Sequence, residues 1–402
     1  MNLRTILILG ALSAFGPLAI DFYLPGFPAI ALAFGTDAQH VQLTLASYFL
    51  GLSIGQLAYG PVADRFGRRI PLLFGVGLFT LASLACAFAP SLEWLIGARF
   101  VQALGGCAGM VLSRAIVSDT CNPVDSAKVF SQLMLVMGLA PILAPMLGGL
   151  LVNAYGWQSI FLVLTVFSAL SSMAVAFGLP ESMPADHPRQ PLSGAFAQYR
   201  RLLGDRVFLG HALTGGIAIA GMFAYIAGSP FVFIKLYGVP AEHYGWLFGI
   251  NAAGFILTAQ VNARMVGRFG PAWLLSRAVW VYLAAAVVLL VVASLHTEKL
   301  WPLLVPLFVY IASLGYIIPN SSACAMTGQG KRAGSASALL GCLQFSVAAG
   351  AAALVGVLHD GTAVPMAIVI TLCGVFAVTL AMLTRRLQKT RDAVTVHTDV
   401  RI

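Results

Sequence analysis

Three sets of side chains along this chain have the types and spacing to do chemistry. Asp21 stands within a long apolar stretch, and of the 14 acidic residues it alone lies well inside one. An ionisable group held in hydrocarbon is costly, so it marks a path for protons or ions by default. Arg99 and Gln102 put a guanidinium and an amide on one helix face at i, i+3 within another apolar run, where the charge must face a cavity or a counter-ion. The third set is the turn Gly60-Pro61-Val62-Ala63-Asp64-Arg65-Phe66-Gly67-Arg68-Arg69. Here glycine suits a tight reversal, and a carboxylate among guanidiniums can tie helix ends together by bidentate hydrogen bonds.

The elements that must position these groups follow from composition. The chain has 402 residues, 59% of them hydrophobic and only 9% charged, whereas soluble domains carry about 25% charged residues. That balance excludes a soluble enzyme and a disordered chain. The apolar runs are long and unalternated, which selects membrane-crossing helices over the roughly 10-residue alternating strands of a barrel. The predicted fold is an all-α membrane protein with 12 transmembrane helices. They lie near residues 4–24, 40–62, 70–89, 92–114, 127–153, 157–179, 207–234, 243–263, 272–295, 300–326, 333–358 and 362–384. The first is long and contains Pro17 and Asp21, so it reads as a span and not a secretory signal.

Basic residues orient the spans. The even-numbered connections and both tails hold almost every Lys and Arg, while the odd-numbered connections hold only Lys235 and Lys299; both termini are expected in the cytoplasm. The net charge of +9 is spread over many short loops without interleaved aromatics, so membrane lipid, and not nucleic acid, is the expected partner. Trp94, Trp157, Trp246, Trp273 and Trp301 at span starts read as interfacial anchors. Six unpaired cysteines and seven scattered histidines give no metal site and no catalytic constellation, so no enzyme is expected.

A polar stretch divides the chain 6+6, giving residues 1–180 and 207–386 as six-helix bundles, 181–206 as a linker with a surface helix near Ser193–Leu203, and 387–402 as a tail. Arg65-Phe66-Gly67 and Arg268-Phe269-Gly270 occupy equivalent hairpins, as in transporters built from repeats whose substrate site lies between the halves. Asp21 lies about 25 Å along the first span and Arg99 about 10 Å below the outer start of the fourth, both in the outer half of the membrane, so a pairing is expected. Burial would favour the neutral carboxyl and a neighbouring guanidinium the charged one, letting a proton move on and off; the alternative is that Asp21 caps a helix break at Pro25 and Pro28.

In the fifth span, Gly138, Pro141, Pro145, Gly148 and Gly149 combine helix-kinking prolines with small residues that permit close helix approach. Tyr23, Tyr48, Gln102, Phe223, Tyr225, Asn251, Tyr316, Asn320 and Gln344 could line a binding pocket or equally fill helix interfaces.

The Gly60–Arg69 turn resembles the signature Gly-x-x-x-Asp-Arg-x-Gly-Arg-Arg of the major facilitator superfamily at every defined position. That resemblance implies two pseudo-symmetric six-helix bundles and a cytoplasmic gate in which Asp64 faces the start of the eleventh span and Arg68 meets an acid below the fourth, with Asp119 the candidate. Arg99-x-x-Gln102 resembles the superfamily's proton-coupling motif, with Ala103 in place of Gly. The fifth span resembles the antiporter motif, with Ala144 in place of its second Gly. Asp21-Phe22-Tyr23-Leu24-Pro25-Gly26-Phe27-Pro28 is similar to the bacterial Bcr/CflA drug exporters, which implies proton-driven export of bicyclomycin, phenicols or similar small drugs across the inner membrane by a monomer, with the proton gradient as energy source and no cofactor. Where some relatives carry a second carboxylate, this chain has Gly10, Ser13 and Ala14, which argues against strong cation preference. An importer or facilitator of a metabolite is the alternative, because the fold does not set direction.

Overall fold

The computed structural model describes residues 3–121, 123–183, 192–329 and 332–399. The described residues are helical with short connections. The first span is broken: α1 (Leu3–Ser13) and α2 (Phe15–Asp21) lead into a 3₁₀ turn at Leu24–Gly26 and then α3 (Phe27–Ala33). Pro25 and Pro28 lack the N–H that an uninterrupted helix would use, and they sit at the starts of the two short segments after the break. The remaining first-half spans are α4 (Ala38–Phe66), α5 (Arg69–Ala87), α6 (Leu92–Thr120), α7 (Pro123–Tyr155) and α8 (Gln158–Gly178).

The surface helix α9 (Leu192–Gly204) follows. The second half contains α10 (Arg206–Pro230) with a π-helical extension Phe231–Leu236, α11 (Ala241–Phe269), α12 (Pro271–Ser294), α13 (Trp301–Met326), α14 (Ala333–Val357) and α15 (Val364–Asp399). These make twelve rods in the expected order. Ten are long and apolar enough to cross a membrane. The other two are α7, of 33 residues, and α11, of 29, which carries Asn251, Gln260 and Asn262. Several helices overrun the hydropathy windows, because hydrogen bonding continues into water while hydropathy marks only the hydrocarbon portion.

Local chemistry fixes the helix ends. Asp37, Ser91 and Asp205 each accept a backbone N–H at the starts of α4, α6 and α10. At the C-terminal ends of α4 and α11 the repeated tripeptides place Gly67 at φ 88°, ψ 170° and Gly270 at φ 76°, ψ 154°, a region essentially restricted to glycine. Tyr199 and Leu202 of amphipathic α9 bury against Phe208, Ala325, Ala336 and Leu339.

Within the first half α6 packs on α4 and α5, and α5 on α8; within the second, α10 packs on α13, α14 and α15, and α12 on α13 and α15. The halves meet along α4 with α14 and α7 with α11. Side chains such as Phe74, Val166 and Phe177 face outward, as lipid contact requires. Trp157 departs from the anchoring expectation: it is buried and packs on Phe34 and Phe161, because the returning end of the first span covers it.

Candidate functional site

Between the halves lies an apolar cavity of about 250 Å³ lined from α2, α6, α10, α11, α13 and α14. Asp21 supplies its acid. The break after α2 ends the helix at this residue, and no hydrogen bond or ion pair engages its carboxyl among the described residues, so it does not cap the break. Phe223, Tyr225 and Asn251 share the cavity wall with Phe345. The Asn251 amide donates to the Tyr225 hydroxyl at 3.1 Å, and Tyr225 stacks on Phe248. The wall therefore offers rings, one carboxyl and one phenol–amide pair, a set suited to a small, mostly apolar molecule.

The expected pairing of Asp21 with Arg99 is not found. Arg99 is fully buried inside the first bundle, its guanidinium 4.6 Å from the Tyr23 ring centroid and 4.2 Å from that of Tyr48, with Phe161 at 5.8 Å. Its Nη1 donates to Gln102 Oε1 at 2.6 Å, and the Gln102 amide donates to Ser83. Among the described residues Nε and Nη2 have no hydrogen-bond partner, nor does the Tyr48 hydroxyl. Successive helix residues are about 100° apart, so equal depth along two helices does not ensure that side chains face one another. Tyr23 turns toward Arg99 while Asp21 turns toward the cavity. Tyr23, Tyr48 and Gln102, expected as pocket residues, thus surround the guanidinium instead.

The other pocket candidates lie elsewhere. The Asn320 amide donates to Asn262 Oδ1 at 2.6 Å and to the Tyr316 carbonyl, and the Tyr316 hydroxyl reaches Met265 Sδ, tying α13 to α11. Gln344 lies beside Gly216, joining α14 to α10.

At the turn between α4 and α5 Arg68 donates from Nη1 to Asp64 at 2.5 Å and from Nε to Asp119 at 2.9 Å. Asp64 and the start of α14 at Gly334 and Ser335 line one cavity of about 440 Å³. Gly60 does not form the reversal: it lies inside α4, which stays helical to Phe66, and the turn falls to Gly67. Arg65 is exposed over the Phe66 ring, and Arg69 donates to the Ala176 carbonyl.

Glu181 completes this cluster and was not singled out from the sequence. Its carboxylate accepts the backbone N–H groups of Arg68, Arg69, Ser182 and Met183 at 2.8–3.1 Å. Partial burial alone would raise its pKa, but those donors hold it below the ordinary carboxylate range. The available signal was its position directly after the sixth span, within reach of the exposed N–H groups that begin α5.

The glycines of the fifth span serve approach. A Cβ on Gly148 would strike the Phe22 carbonyl, one on Gly149 the Ala241 carbonyl, and one on Gly245 the Met146 backbone. Asn153 donates to Glu242 at 2.6 Å beside this crossing. Pro145 is buried in α7, and the helix runs unbroken through Pro141; the surroundings of Gly138 and the side chain of Pro141 lie outside those described. No cluster of three metal-ligating side chains occurs among the described residues.

Comparison with known proteins gives this geometry its family. The profile of the Major Facilitator Superfamily matches residues 7–353. The chain is 41% identical over 368 residues to an uncharacterized MFS-type transporter, YdgK, of Bacillus subtilis (strain 168), with 91% of each covered. It is 32% identical to a bicyclomycin resistance protein homolog of Haemophilus influenzae, covering 93% of this chain and 94% of the relative. Multidrug resistance protein D of Escherichia coli (strain K12) is 30% identical over 85% of this chain and 86% of that one. Among solved structures, a bacterial homolog of the human lysosomal transporter Spinster, inward-facing and occupied, superposes with a TM-score of 0.73 at 14% identity, covering 95% of this chain and 96% of that one. The chain is a multi-pass membrane protein and no enzyme: it belongs to the major facilitator superfamily of transporters, among the relatives of Bcr/CflA type.

Proposed function

We propose that the protein exports small drugs, of the bicyclomycin or phenicol kind, across the bacterial inner membrane in exchange for protons by alternating access. The observation that carries this reading is Asp21, a buried acid on the wall of the cavity between the two bundles, without a hydrogen-bond or ion-pair partner among the described residues. A carboxyl so placed can hold a proton or release it as the occupant of the cavity changes. Relatives named for bicyclomycin and multidrug resistance support the choice of substrate. In this reading bundles 1–180 and 207–386 rock about the site, the 181–206 segment links them, and both termini and the 387–402 tail lie in the cytoplasm on the side rich in basic residues. Arg99 holds the first bundle's interior, and the Asp64–Arg68–Asp119 cluster braces the cytoplasmic side when it closes. The protein acts as a monomer, its cavity being built from one chain.

Drug-driven proton release from proteoliposomes tests the reading. Asp21→Asn abolishes release if the carboxyl carries the proton, and unchanged release removes Asp21 from the mechanism. Cells expressing the protein accumulate less drug, and an uncoupler restores accumulation; higher accumulation on expression indicates import instead.

A further inference from the structure

The cytoplasmic cavity holds two guanidiniums that the mechanism above does not use. Arg114 on α6 and Arg332 at the start of α14 approach it from opposite bundles. Arg68 also lines it, but its charge is answered by Asp64 and Asp119. Arg114 and Arg332 have no side-chain hydrogen bond or ion pair among the described residues. Arg114 lies toward the cytoplasmic end of its span, where a lysine or arginine ordinarily snorkels along the lipid-facing surface. Here it turns inward, its surface open to the cleft. Interfacial anchoring therefore does not explain it. Three guanidiniums stand here against the carboxylates of Asp64 and Asp119, so the cleft keeps a net positive charge, and within low-dielectric walls such a charge attracts anions and repels cations.

The cavity also adjoins the site. Met110 lines both it and the cavity that contains Asp21, so a path from the cytoplasm to Asp21 would run by Arg114 and then Met110. Gln56, on the same wall, adds an amide to the two guanidinium forks, a donor set matched to a planar or tetrahedral oxyanion.

We propose that Arg114 and Arg332 form an oxyanion subsite at the cytoplasmic end of the transport path, giving the protein a preference for substrates that carry a carboxylate, phosphate or similar group. The proposal rests on the reading of the central cavity as the substrate path. The headgroup of an anionic lipid entering between the bundles presents the same chemistry as a soluble anion, and the test separates the two.

The full-length protein in detergent is titrated, at fixed ionic strength and followed by tryptophan fluorescence, with benzoate, its neutral isostere benzamide, and dihexanoylphosphatidylglycerol. Benzoate is expected to bind at least tenfold more tightly than benzamide. Arg114→Gln removes that preference and leaves benzamide affinity unchanged, Arg332→Gln weakens it, and Arg114→Lys keeps most of it. Binding of dihexanoylphosphatidylglycerol without benzoate supports the subsite and assigns it to a lipid headgroup. Equal affinity for benzoate and benzamide, with no lipid binding, overturns the proposal, as does a preference that survives both glutamine variants. Because binding is read without a gradient, failure of the export reading in proteoliposomes leaves this result standing, and the reverse also holds.

Discussion

The ring of Tyr23 lies 4.6 Å from the Arg99 guanidinium, while Asp21, two residues earlier, faces the cavity between the bundles. One short segment thus serves two compartments, an aromatic cage inside the first bundle and the wall of the cavity between the bundles.

The cage predicts an ordering of variants at Tyr48. Its hydroxyl has no hydrogen-bond partner among the described residues, so Tyr48→Phe keeps the ring over Arg99 and should leave the thermal midpoint in detergent unchanged or raised. Tyr48→Leu removes a desolvated cation–π contact of about 2 kcal/mol and should lower the midpoint by several degrees. Equal midpoints for the two variants would show that the ring face contributes nothing.

In the proposed reading, Asp21 gives up stability for function. A buried carboxyl without a partner is destabilising, so Asp21→Asn should unfold at the same temperature as the parent or higher, even as proton exchange is lost. A marked fall in the midpoint would reveal a structural role instead.

Burial ranks the two acids that meet Arg68. The Asp119 side chain is 18% exposed and that of Asp64 42%. Asp119→Asn should cost about 1.5–3 kcal/mol, the scale of a charged hydrogen bond, and Asp64→Asn about 0–1 kcal/mol, as for exposed pairs. Double-mutant cycles with Arg68→Ala, read by unfolding in mixed micelles, measure both couplings; the reverse order refutes the ranking.

Two glycines at equivalent turns provide an internal control. Gly67→Ala and Gly270→Ala both strain a glycine-restricted backbone by about 1–3 kcal/mol. At Gly67 the new methyl would also meet the Glu181 carboxylate, whereas at Gly270 it meets nothing. Gly67→Ala should therefore be the more damaging of the two by thermal scanning, and Glu181→Gln should narrow the gap.

Glu181 also sets a pH dependence. Its folded pKa is held below its ordinary value of 4.5, so its contribution to stability is present above that value and is lost as pH falls through the lower, folded one. Thermal scans at decreasing pH should show wild type losing more stability in that acid window than Glu181→Gln. Parallel curves would discount the carboxylate.

The sequence conveyed the twelve rods because hydrocarbon selects long apolar runs, and it conveyed the Arg68–Asp119 contact through a motif whose residues are close along the chain or at neighbouring helix ends. It did not convey which way a buried side chain faces. Sequence spacing predicts a similar depth for Asp21 and Arg99, but facing depends on helix rotation and on the break at Pro25, which hydropathy does not register. Glu181 was hidden for another reason: its partners are backbone N–H groups, which leave no pattern of side-chain types. Gly60 misled because a glycine next to a proline suggests a turn, yet α4 continues through both.

The shared segment of Asp21 and Tyr23 has a mechanical consequence. With the two side chains on opposite sides of one twist of backbone, a swivel of that backbone that carries the acid away from its chamber also shifts the phenol against its cation. If Asp21 carries the proton as proposed, loading it would be felt at Arg99 through this shared backbone.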